Sequence, residues 1–436
     1  MPHQPFEIDC EKGRLFLSVI PRHAYISRSL AATVVSLSLG LVSLPEADAK
    51  AGPYFPTWPA ELQSTILKMY RTFRGELMLY VEDVPSGVVF EHNAATPTYI
   101  ASVVKLPFMI ELFRQIEDGS VSLDEDMVYT ADDLRDGSPV FNYVKVGTPV
   151  RLRVVLEAMI QQSDNAASDM IARRVGIGRV NEGMKALGYK NFGPITSLID
   201  VRRLIYAQLD PRVNDLSPAE IRAIGFARGH EARVLKITDL LGELPGTYAI
   251  PDIDLAFRRY YASGYNSATM RQVGLVLRDL ANGHLINERA SEQMLEIMLG
   301  TMTGPKRMIS YLPPGTPVAH KTGTQYQRIC DVGLFYVAKD HPVVFAGCTK
   351  FQRQRSQAEE VLARSARRAF ELLAPPERRA QLLDEIVLGD ELWDEPTAML
   401  KPSRTESSTA AAKSPRKKRP RKKAASSRGA SRSSAD

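Results

Sequence analysis

A chain of 436 residues with 44% hydrophobic content can bury a large core, as one two-lobed unit or as two domains, and its composition is that of a soluble globule rather than a fibrous protein. Its net charge of +6 is not spread evenly: residues 401–436 hold twelve Lys or Arg against Glu406 and Asp436, a net of +10, which leaves residues 1–400 at −4. The folded part therefore lacks the basic surplus of a nucleic-acid binder, and no specific nucleic-acid partner is expected. Three cysteines and seven scattered histidines show no metal-type spacing, so neither a metal nor another cofactor is expected.

Arg22 and Arg28 precede an apolar run from Leu30 to Leu44, followed by Pro45 and Ala47-Asp48-Ala49. A basic region, a short apolar core and an A-x-A site read as a secretory signal peptide over residues 1–49. The run is shorter than the ~20 residues a spanning helix needs. Its alternative, an uncleaved N-terminal anchor, also exports the rest of the chain, so the expected location is the periplasm or the cell envelope.

From Trp58 to Phe73 apolar residues recur at helical spacing. Two β-rich runs follow, Glu76 to Val81 and Gly87 to Phe90, separated by the turn composition Asp83-Val84-Pro85-Ser86-Gly87. The stretch from Ser102 through Phe113 has almost no polar face and predicts a buried helix. Residues 118 to 310 are mostly helical in pattern. Three strand candidates come after them, Thr316 to Lys321, Val332 to Val337 and Val343 to Cys348, the last two joined as a hairpin, and a helix from Gln357 to Leu373 closes the pattern. Strands at both ends with helices between them predict an α/β fold of the α+β type. An antiparallel sheet lobe, residues 53–101 plus 312–375, is flanked by helices and carries an inserted all-helical lobe, residues 102–311; the site is expected between the lobes. Residues 376–400 hold one further candidate helix, Arg378 to Val387. Residues 401–436 read as a disordered basic tail, suited to an anionic envelope polymer or lipid. With a hairpin turn near residue 339, Cys330 and Cys348 face each other, and an oxidising compartment permits a disulfide there.

The chemistry is concentrated in three short motifs. Ser102 and Lys105, in Ser102-Val103-Val104-Lys105, lie three residues apart and so share a helix face, where an amine can reach a hydroxyl. Ser163-Asp164-Asn165 follows at a helix end, and Lys321-Thr322-Gly323-Thr324 at a strand end. Each alone has an ordinary reading, a helix cap for the second and a strand-to-turn exit for the third.

In this order the three motifs resemble those of the penicillin-recognising serine enzymes, the class A β-lactamases and penicillin-binding proteins, and the resemblance covers residues 53 to 375. It implies Ser102 as nucleophile, Lys105 as its base, Ser163 as proton relay bonded to Lys321, and Asn165 as the residue that orients Lys105 and a substrate amide. Lys321 and Thr322 would hold a substrate carboxylate, Gly323 would leave room for substrate, and the backbone N–H groups of Ser102 and Thr324 would form the oxyanion hole. Ser138-Pro139-Val140 and Asp331-Val332-Gly333 also fit the family. The implied function is an exported acyl-serine hydrolase acting on a β-lactam, a D-alanyl-D-alanine peptide or a related ester or amide. A catalytically idle envelope-binding protein on the same fold is the alternative.

Two departures from the family stand out. The loop in which class A enzymes carry a deacylating Glu reads here Ile195 to Arg203 without one, and Asp200 is the nearest carboxylate and the candidate deacylation acid. A long extra segment, about residues 206–261, is expected to be largely helical and to cover the cleft or dock a partner.

Overall fold

The computed structural model describes residues 56–242, 252–352 and 354–382. The expected signal peptide and basic tail, and most of the helix expected over residues 378–387, lie outside the described residues; within them that region forms a short helix at Pro376–Arg379.

Five strands make one antiparallel sheet: β1 (Glu76–Asp83), β2 (Val88–His92), β3 (Val318–Gln325), β4 (Arg328–Ala338) and β5 (His341–Lys350), in the spatial order β2-β1-β5-β4-β3. The two N-terminal strands thus join the three C-terminal ones through the β1–β5 pair. The described residues between β2 and β3 are mostly helical, as the pattern predicted, with two short two-stranded sheets, Thr98–Tyr99 with Ser267–Ala268 and Asp126–Val128 with Pro149–Arg151, among them.

The sheet is covered on both faces, which explains why β1 and β4 are buried at nearly every position. Alternate residues of β1 go to different cores. Leu77, Leu79 and Val81 pack with Trp58, Leu62 and Ile66 of the first helix and with Val361, Leu362 and Phe370 of the last, Arg355–Leu373. Met78 and Tyr80 pack instead with Phe108, Leu112 and Phe113 of the Lys105–Glu117 helix and with Met270, Val273 and Leu277. The Lys105–Glu117 helix is therefore buried on nearly all sides, as its sequence suggested. Pro107, in its first turn, sits where a backbone N–H would have no intrahelical partner and leaves the helix unbroken.

The extra segment is helical where described, with Pro218–Phe226, His230–Leu241 and Ile253–Ala262. It builds a third core rather than extending an existing one: Ile221, Ile224, Ile237, Phe257 and Tyr260 bury Ile199, Val201 and Ile205 of the Leu198–Tyr206 helix together with Tyr99 and Ala101 beside Ser102. It also grips the β3–β4 turn, since Tyr261 donates to the Tyr326 carbonyl at 2.8 Å and the Tyr326 hydroxyl donates to Asp254 at 2.9 Å. The segment is a buttress on one side of the Ser102 loop.

Cys330 and Cys348 stand opposite each other in the β4–β5 register, with Cα atoms 4.1 Å apart, and form the disulfide that the hairpin register predicted.

Candidate active site

Ser102 lies in a 3₁₀ turn, Ala101–Val104, that leads into the Lys105–Glu117 helix. Ala101 just before it has φ +50°, a left-handed conformation that costs a non-glycine residue about 1–3 kcal/mol and must be held by its surroundings. Lys105 and Lys321 are both fully buried. Between them lies Ser163, itself left-handed at φ +58°. Lys321 Nζ donates to Ser163 Oγ at 2.8 Å, and Lys105 Nζ approaches the same oxygen at 3.3 Å. Lys105 also donates to the Ser163 carbonyl at 2.5 Å and to Asn165 Oδ1 at 2.9 Å. Among the described residues no hydrogen bond joins Lys105 to Ser102. The amine that was expected to contact the nucleophile is directed instead at the Ser163 loop.

Burial without a carboxylate in contact favours the neutral form of both amines. For Lys105, desolvation outweighs the opposing pull of Asp164 and Asp169 and brings its pKa from 10.5 down to about 7. Lys321 is held well below the ordinary lysine value, first by burial and then by the neighbouring Lys105 charge.

The Ser163 loop is held in place by Asp164. It caps the Asn165–Val175 helix through the Ala167 N–H at 2.9 Å and accepts from the N–H groups of Val140 and Phe141 at 2.9 and 3.0 Å. The helix-cap reading of this motif therefore holds, and the same turn brings Ser163 and Asn165 to Lys105. Ser138 accepts from the Ala166 N–H at 2.8 Å, which fastens the Ser138-Pro139-Val140 stretch to that helix. Asn165 spans the gap, donating to the Asp136 carbonyl at 2.7 Å while accepting from Lys105.

On the sheet side, β3 delivers Lys321, Thr322, Gly323 and Thr324. Arg307 braces this strand from behind, donating to the carbonyls of Gly323 and Cys330 at 3.1 and 2.9 Å and to Thr324 Oγ1 at 2.6 Å, with Glu359 as its buried counter-ion at 3.2 Å. Thr322 Oγ1 shares a hydrogen bond with Thr303 Oγ1 at 2.6 Å. His320, adjacent to Lys321, pairs with Asp331 at 2.8 Å and takes no part in the cluster. The role of Gly323 differs from expectation: a Cβ there would come within 2.5 Å of the Ile100 carbonyl, so the glycine lets the strand pack against the Ser102 loop rather than opening space for substrate.

Tyr99, Ala101, Ser102, Asn165, Leu198, Val201, Arg202, Thr324 and Gln325 line a narrow cleft of about 40 Å³. Asp200 is not among them. It accepts from Ser197 Oγ at 2.5 Å in the first turn of its helix and lines a separate cavity with Asp132, Asp133 and Arg135. The helix turns Leu198, Val201 and Arg202 toward Ser102, so the candidate deacylation acid is on the wrong face of the right helix. Arg202 pairs with Asp136, at 2.5 Å, and not with Asp200. Sequence reasoning passed over Asp169, which accepts from the N–H groups of Leu198 and Ile199 at 2.6 and 2.9 Å and from Arg135 at 2.5 Å, anchoring the start of that helix. Its spacing of four from Asn165 on one helix was the available signal.

Gly323→Ala should therefore push the strand away from Ile100, destabilising the fold by about 1–3 kcal/mol and slowing any reaction at Ser102. Denaturant unfolding checks the first effect, and an unchanged midpoint would contradict the packing role.

The comparisons with known proteins agree with this geometry. Residues 61–373 match the model of the β-lactamase enzyme family. The chain is 23% identical over 301 residues to a β-lactamase of Mycobacterium tuberculosis, covering 68% of this chain and 80% of the relative. To β-lactamase 3 of Bacillus cereus it is 19% identical over 300 residues, covering 69% and 77%. Among solved structures, TLA-1 extended-spectrum β-lactamase superposes with a TM-score of 0.56 at 18% identity, covering 73% of this chain and 99% of that one. A point mutant of PBP-A gives 0.54 at 18% identity, covering 74% and 98%. With three motifs of that family folded into one cluster around Ser102, the chain belongs to the β-lactamase enzyme family and is a serine hydrolase of that type.

Proposed function

We propose that this hydrolase forms an acyl-enzyme on Ser102 with a penicillin-like β-lactam or a D-alanyl-D-alanine peptide, and that hydrolysis of the acyl-enzyme is its slow step. Ser102 attacks the carbonyl. Its proton passes toward the neutral amine of Lys105, and Ser163, held between Lys105 and Lys321, returns a proton to the leaving nitrogen. The backbone N–H groups of Ser102 and Thr324 receive the oxyanion, and Lys321 with Thr322 holds the substrate carboxylate.

One observation carries the slow second step: none of the nine residues lining the Ser102 cleft is Asp or Glu, and the helix that borders it presents Leu198 and Val201. A water there has no carboxylate to activate it. The absence of a positioned base typically costs about 10²–10⁴ in rate. The solved structure of the PBP-A mutant is an acyl-enzyme complex with penicillin G, so a protein of this fold does form such an adduct.

On mixing with benzylpenicillin the protein should give a burst equal to the enzyme concentration and then weak turnover, with an adduct of intact penicillin mass on Ser102 that persists for minutes. Leu198→Glu, placing a carboxylate in the cleft, should raise turnover at least tenfold. Rapid turnover by the unaltered protein, abolished by Asp200→Asn, would contradict the assignment.

The same reading puts the enzyme outside the cytoplasm, supported by the Arg-flanked apolar run and Ala47-Asp48-Ala49 and consistent with the bonded Cys330 and Cys348. The basic tail would then hold it to an anionic envelope polymer or lipid. Periplasmic material should begin near Lys50 and should leave the envelope fraction at raised salt. An intact chain recovered from the cytosol would contradict export.

A further inference from the structure

A groove of about 510 Å³ opens just before β3, walled by Leu299, Pro317, Tyr336, Ala338, Lys339 and Arg378. Its cause lies in the sheet. β3 pairs with β4 as far as Phe335, whereas β4 runs on to Ala338 against β5. The Tyr336 N–H still reaches the Pro317 carbonyl, at 3.2 Å, but among the described residues no strand lies beside Val337 and Ala338 on that side. Leu299, the last residue of the Glu288–Leu299 helix, stays 47% exposed at the rim. A contiguous apolar surface left open in this way marks an interaction site, and the volume is within the range of about 300–1,000 Å³ usual for such sites.

Two observations identify the occupant. The first is where the chain goes. Arg378, in the groove wall, donates to Thr316 Oγ1 at 3.1 Å and to Gln381 Oε1 at 2.5 Å, and the described residues end at Leu382, four residues past it. The apolar residues Ile386, Val387, Leu388, Leu392 and Trp393 follow at once. Ile386 is four residues beyond Leu382, a reach of up to ~14 Å. The second is charge. Residues 383–400 carry Asp384, Glu385, Asp390, Glu391, Asp394 and Glu395 and no Lys or Arg. The groove offers Lys339 and Arg378 against Asp340, and neither cation is in an ion pair among the described residues. An apolar run flanked by acids matches apolar walls with a basic rim, the charges setting register more than strength.

We propose that residues 386–393 of the same chain dock in this groove, their apolar side chains against Leu299, Pro317 and Tyr336 and their acids toward Lys339 and Arg378. The proposal stands apart from the acylation of Ser102. Pro317 and Thr324 of the Ser102 cleft are at opposite ends of β3, seven residues or ~24 Å apart along the strand. Docking therefore starts the basic tail, residues 401–436, from the far end of β3 rather than from the mouth of the cleft.

A glutamate-specific protease tests this on the full chain. Cleavage after Glu391 should be at least about tenfold slower in the unaltered protein than in a Leu299→Asn/Lys339→Ser variant, because the rate follows the population of the undocked form, while cleavage after Glu406 in the tail should be equal in both. Both altered residues are exposed, and circular dichroism checks that the fold is kept. The protection should persist where sedimentation shows a monomer and in a chain ending at Leu400. Independently, the emission lost in Trp393→Phe should be quenched less by acrylamide in the unaltered protein than in the double variant. Equal cleavage after Glu391, or equal quenching, overturns the docking. Protection seen only in dimers gives the groove to the segment of a second copy, and protection lost with residues 401–436 gives the acids to the basic tail; either result also overturns it.

Discussion

The structure around Ser102 depends on one costly arrangement, a serine hydroxyl held between two buried lysine amines. Lys105 and Lys321 are fully enclosed, and Ser163 Oγ lies within reach of both. Two ammonium groups could not share such a place: each would lose its hydration and repel the other. Burial lowers the pKa of both, and the free-amine forms resolve this. A pKa near 7 in place of 10.5 corresponds to about 5 kcal/mol in favour of the free amine, at about 1.4 kcal/mol per pH unit. The same burial that would weaken a structural ion pair brings this amine's titration close to neutrality.

Most of the remaining fold serves to hold that arrangement fixed. Asp164 ties the strained Ser163 turn to the Val140–Phe141 backbone and to its own helix. Arg307 and Glu359 brace β3 from behind, and Gly323 lets that strand close on the Ser102 loop. The extra helices after residue 206 pack against Tyr99, Ala101 and the Leu198–Tyr206 helix, so the wall of the cleft is supported by a core of its own. The face that the Leu198–Tyr206 helix turns to the cleft carries Leu198 and Val201.

The sequence made the nucleophilic cluster legible because its chemistry lies in contiguous motifs: Ser102 with Lys105, Ser163 with Asn165, Lys321 with Thr322. Strand positions were readable from β-rich runs, and Cys330 with Cys348 from hairpin register, since both follow from local periodicity. Helix facing was harder to read. Asp200 and Leu198 are two residues apart, about 200° around a helix, and which of them meets Ser102 is decided by Asp169 fixing the helix start and by the extra segment packing behind it. The Arg202–Asp136 pair spans 66 residues and has no local signature. Gly323 was expected to leave room for substrate, and only the packed structure identifies the Ile100 carbonyl as what lies on that side.

Burial brings Lys105 into the range where its free amine is populated near neutrality, and its own titration measures this. With lysine labelled at Cε, the Lys105 resonance, assigned by its loss in Lys105→Arg, should move through a midpoint near pH 7, the free amine dominating above it and the ammonium below. A midpoint near 10.5 would mean that Lys105 remains charged beside Ser163 and cannot take the proton of Ser102.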